Sequence, residues 1–74
     1  MTTTTIAVMR SAQSVLHRSM PREEADRIGR QIAERLALPG NIEKASRRYD
    51  TADVFEIGEL AAQEYVMLTL LPAK

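Results

Sequence analysis

Apolar and polar positions follow a helical period over most of this chain. From Pro21 onward, Ala25, Ile28, Ile32 and Leu36 recur at spacings of three and four, with Gly29, Ala33 and Ala37 beside them. Arg22, Arg27, Arg30, Glu34 and Arg35 take the other positions. The pattern predicts an amphipathic helix with a smooth shoulder. Pro21 suits the first helical position, where a missing N–H costs nothing, and Glu23, Glu24 and Asp26 place negative charge near the positive end of the dipole. Pro39-Gly40-Asn41 marks the end: Pro39 pushes Leu38 out of the α region, Gly40 accepts φ > 0, and Asn41 is suited to cap a shorter second helix over Ile42–Arg48. The stretch from Pro21 to Asp50 is therefore expected to organise the fold.

Before it, Val8, Met9, Ala12, Val15 and Leu16 fall on one helical face, which predicts a helix from about Ile6 to Arg18 with Thr5 as cap and a frayed threonine leader. After it, Thr51 is placed to cap a long helix with Asp53 in its first turn. Val54, Ile57, Ala61, Tyr65 and Leu68 form a near-heptad stripe expected in the core, with Phe55, Ala62 and Val66 on its flank. Tyr65–Leu71 is apolar nearly all round, so a short strand paired with the threonine-rich segment over residues 2–8 remains open there. The expected fold class is all-α, one compact bundle of three or four short helices over residues 1–74. The alternative is an α+β domain with a small terminal two-stranded sheet.

Size narrows the picture. A chain of 74 residues makes one domain that buries roughly 60% of its unfolded surface, so its stability is a few kcal/mol. Without cysteine it has no disulfide, thiolate metal site or thiol nucleophile, which fits a cytoplasmic location. No apolar run is long enough to span a bilayer, so no membrane association is expected. The first 22 residues are rich in Ser, Thr and Arg and free of acids, like a transit peptide, but their apolar positions are expected to complete the core. Formal net charge is zero yet polarised. Residues 1–48 hold nine cations against five acids, net +4, and residues 49–74 hold one against five, net −4. Either the two halves neutralise each other inside the fold or the polarity serves a partner.

Candidate chemistry is sparse. Gly29, Gly40 and Gly58 stand apart, so they build no phosphate loop, and His17 has no second histidine for a triad or metal site; it reads as a solvated surface residue. Asp50, Asp53, Glu56, Glu59 and Glu64 wind around a helix instead of converging, and read as a solvated or docking face. No catalytic residue, metal site or cofactor is expected.

Ile32-Ala33-Glu34-Arg35-Leu36, followed by a short turn and a basic helix ending at Arg47-Arg48, resembles the helix-turn-helix of bacterial DNA-binding regulators. The resemblance implies that Ala33 packs between the helices and that the 41–48 helix enters the major groove, with Asn41, Lys44, Arg47 and Arg48 on DNA. The usual turn glycine is Ala37 here, and Ile42 falls one residue early.

The reading these features favour is a non-enzymatic protein-binding regulator: an inhibitor or adaptor that docks on a larger machine such as a polymerase, nuclease or signalling complex. A DNA-binding transcription regulator is the alternative, and homodimerisation is left open. The expected partner-binding residues are Arg10, Arg18, Arg47, Arg48 and Tyr49, with Tyr49 at the surface and Phe55 in the core.

Overall fold

The computed structural model describes residues 1–69. Four helices follow one another: α1 (Thr3–Leu16), α2 (Arg22–Leu36), α3 (Asn41–Tyr49) and α4 (Val54–Thr69). The all-α expectation holds. Among the described residues there is no strand; Thr3–Val8 and Tyr65–Thr69 are both helical, which removes the terminal sheet, while Leu70 and Leu71 lie outside the described residues.

Local chemistry sets each boundary. Thr2, not Thr5, caps α1: its Oγ1 accepts the Thr5 amide at 3.1 Å and lies 2.9 Å from the Thr5 hydroxyl. That capping bond draws the threonine leader into the first turn despite its β-branching. The far end closes two residues early, because the Ser19 and Met20 amides both turn back to the Leu16 carbonyl. Pro21 precedes α2 instead of opening it; its ψ of 150° is extended, and its carbonyl accepts the Ala25 amide as an N-cap carbonyl does.

Between α2 and α3, Gly40 adopts φ 83° and takes the N-cap position itself. Asn41, expected as that cap, becomes the first residue of α3, and its side-chain amide donates to the Arg35 carbonyl at 2.7 Å, satisfying the end of α2. The cap of α4 is likewise displaced. Asp53 Oδ1 accepts the Phe55 amide and its carbonyl accepts that of Ile57, while Thr51 Oγ1 accepts the Asp53 amide and donates to Glu56.

α1 is the hub. It packs against α2 on one side and α4 on the other, whereas the α3 backbone packs only on α2 and α4. Val8, Ala12 and Leu16 of α1 are buried with Ala25, Ile28 and Ala33 of α2 and Ile57 and Ala62 of α4; Val15, Met20, Ile32, Tyr65 and Val66 pack around this cluster. Most of these side chains are small, so the helix backbones approach closely. A Cβ placed on Gly58 would overlap the Ser11 hydroxyl and lie 2.6 Å from the Val8 carbonyl oxygen; one placed on Gly29 would overlap the Gln13 side chain. Ser11 is fully buried and donates to the Val8 carbonyl at 3.0 Å, so its hydroxyl is satisfied inside the crowded seam.

Two expected core residues lie outside. Phe55 is 47% exposed and Leu68 is 77% exposed. Phe55 stands in the first turn of α4, ahead of the buried Ile57 and Gly58, and Leu68 lies past Tyr65 and Val66, which pack on the core.

Gly58→Ala is expected to destabilise the domain by about 1–3 kcal/mol despite alanine's higher helix propensity, because the Val8 backbone cannot yield. Denaturant titration checks it, and adding Ser11→Ala should recover only part of the loss, since the Val8 carbonyl remains in the way.

Candidate functional site

The expected partner-binding residues do not gather in one place. Arg10 is exposed on α1 and Arg18 just beyond its end, while Arg47, Arg48 and Tyr49 sit at the end of α3. Among the described residues the backbones of α1 and α3 do not pack on each other, so the two arginine groups stand on helices that are not neighbours.

At α3 the side chains are already engaged. Tyr49 is half-buried, and its hydroxyl donates to Glu64 Oε1 of α4 at 2.6 Å. The Arg48 guanidinium pairs with the other Glu64 oxygen and lies 5.8 Å from the Tyr49 ring centroid. Burial of the phenol pushes the Tyr49 pKa up from 10.0 to about 12; the hydrogen bond to Glu64 and the carboxylate's negative charge add to this, and Arg48 opposes it. Tyr49 is thus a strut between helices and not a free surface anchor. The exposed aromatic is Phe55, at the start of α4.

The residues expected on DNA divide in the same way. Asn41 is committed to the α2 carbonyl, whereas Lys44 and Arg47 are exposed on α3, and Arg48 keeps 65% of its side chain in solvent despite its ion pair. The spacing of Lys44, Arg47 and Arg48 puts all three on one helical face. That face carries Glu43 at its near end.

The acidic residues are dispersed, as their spacing implied. Asp53 caps α4, Glu56 accepts from Thr51, and Glu64 serves α3. Among the described residues, no three metal-ligating side chains converge. His17 is exposed yet not idle: its Nε2 lies 2.8 Å from Asp26 Oδ1, tying the end of α1 to α2, and Arg22 reaches the other Asp26 oxygen at 4.0 Å.

Sequence reasoning missed the role of Glu64, since nothing in a charge pattern joins residues 15 positions apart on two different helices. It also missed a groove of about 320 Å³ between the start of α1 and the α2–α3 turn, bordered by Thr5, Val8, Leu36, Pro39 and Ile42, with Leu38 58% exposed at its edge. A Pro-Gly turn beside leucines is an ordinary helix stop, so only the assembled fold reveals the concavity. No helix among the described residues is long and apolar enough to cross a membrane.

The Tyr49 shift gives a signed prediction. Its folded pKa is raised, so its contribution to stability is complete below the ordinary value of 10.0 and is lost as pH rises toward about 12. Ultraviolet titration should show a phenol ionising near about 12 that disappears in Tyr49→Phe and moves down in Glu64→Gln. The alkaline loss of stability over the same range should be smaller in both variants.

No protein-family model, no characterised protein and no solved structure matches this chain.

Proposed function

We propose that the domain is a non-enzymatic protein-binding regulator, an inhibitor or adaptor that docks on a larger assembly through exposed cations and an exposed aromatic. One observation carries the reading: the basic half of the chain is not neutralised by the acidic half. Among the described residues Arg48–Glu64 is the one ion pair that joins them; the others, His17–Asp26 and Arg22–Asp26, lie within the first half. Arg10, Arg18, Lys44 and Arg47 reach solvent with no carboxylate in salt-bridge range among those residues. Arginine and aromatic side chains dominate the binding energy of protein interfaces. The accessible surface of 5212 Å² has room for one or two interfaces of ordinary size, about 800 Å² per side.

Within this proposal we assign the interface by exposure, since Phe55 is exposed and the Tyr49 hydroxyl is bonded to Glu64. Arg47 and Lys44 supply steering charge on α3, and Phe55 replaces Tyr49 as the aromatic anchor. The DNA-binding alternative rests on the same α3 cations. It is disfavoured by Asn41, whose amide is spent on Arg35, and by a formal net charge of zero. Anchoring through Phe55 separates the two readings, because duplex DNA has little use for an isolated exposed ring.

Affinity capture from the native host, followed by binding kinetics with the captured protein, tests the proposal. Arg47→Glu with Lys44→Glu should slow association and steepen no other property, whereas Phe55→Ala should speed dissociation, and both should leave the melting temperature nearly unchanged. Duplex DNA binding that falls steeply with salt, and that is lost in the same charge reversals, would instead establish the alternative.

A further inference from the structure

The α3 helix is fastened differently from the other three. Its backbone does not pack on that of α1 among the described residues, and of its own residues only Ala45 is buried. Both flanking residues are left-handed, Gly40 at φ 83° and Asp50 at φ 56°. Ile42 and Tyr49 are half-buried, and three side-chain bonds complete the attachment: the Asn41 amide on the Arg35 carbonyl, the Tyr49 hydroxyl on Glu64, and the Arg48 guanidinium on Glu64. Two of these three converge on one carboxylate.

A helix of nine residues does not hold itself together in water, and a mostly exposed ion pair adds little. Separating α1 from α2 and α4 is a different matter, since it exposes Val8, Ala12, Leu16, Ile57 and Ala62, all buried. The two kinds of opening therefore have very different costs.

We infer that α3 is a latched flap, which detaches as a unit about Gly40 and Asp50 while α1, α2 and α4 stay packed, with the Glu64 carboxylate as the latch. Detachment frees Arg48 and Tyr49 together and uncovers the parts of α2 and α4 on which α3 packs. The inference concerns the free domain and does not depend on the docking proposal. Gly40 supports it specifically: a Cβ there meets nothing within 4 Å, so glycine is needed for its backbone conformation and not for packing.

Native-state amide hydrogen exchange on the full chain tests it without any substitution. Amides of Ala45–Tyr49 should exchange at least about tenfold faster than those of Ala12 and Leu16, with a shared denaturant dependence that is smaller than that of Ala12 and Leu16, the mark of a sub-global opening. Glu64→Ala should accelerate the α3 amides by roughly a further tenfold and leave Ala12 and Leu16 unchanged. Tyr49→Phe, which removes one fastening and keeps the carboxylate, should give a smaller acceleration confined to the same residues; it serves also if Glu64→Ala does not fold. Exchange of α3 at the rate of Ala12 and Leu16, or equal acceleration of α1 and α3 in either variant, would show that α3 opens only with the whole domain and overturn the inference.

Discussion

The contact on which the rest depends is the near-touching of α1 and α4 at Gly58. A helix that presents a bare Cα to the Ser11 and Val8 backbone turn approaches more closely than helices separated by leucines. Gly29 repeats the device against Gln13 on the α2 side. Close approach lets the helices exclude water by backbone proximity and by alanine as well as by the larger Val8, Leu16, Ile28 and Ile57 side chains.

The same constraint fixes where polarity is tolerated. Ser11 lies in the seam because its hydroxyl returns to the Val8 carbonyl one turn earlier, a bond that needs no partner from α4. The periphery is held otherwise. Gln13 donates to the Asp26 carbonyl, His17 meets the Asp26 carboxylate, and Tyr49 and Arg48 meet Glu64. Each of these attaches a neighbouring helix by one or two directional bonds at the rim of an apolar seam.

Much of the fold was legible because it follows from local rules. Helical period, the Pro39-Gly40 stop and the Ala25, Ile28, Ala33 face all reappear, and helix limits shift by a few residues as Thr2, Gly40 and Asp53 take capping positions first assigned to their neighbours. The hub was not legible. The strongest amphipathic pattern belongs to α2, but centrality depends on how many neighbours a helix has, and α1 acquires two through Gly58 and Gly29, residues that read in isolation as weak helix formers. The candidate site was legible only as composition. Exposure of Arg10, Arg18 and Arg47 followed from helical position, whereas the engagement of Tyr49, the exposure of Phe55 and the role of Glu64 depend on which helix lies across from which.

The charge polarity of the sequence acquires its physical meaning from that placement. Had the basic and acidic halves been interleaved in space, ion pairs would join them along the length of α4; instead a single carboxylate, Glu64, makes that connection among the described residues. An exposed cation left beyond contact range of an acid keeps its field in solvent, where it acts over roughly a Debye length of about 8–10 Å. Asp26, Asp53 and Glu56 serve their own or a neighbouring helix end, and Glu64 alone among the described residues pairs with a cation of the other half. The helix that meets Glu64 through Tyr49 and Arg48 is also the one that carries Lys44 and Arg47, so the exposed cations of α3 and the ion pair that joins the two halves reside in the same nine residues.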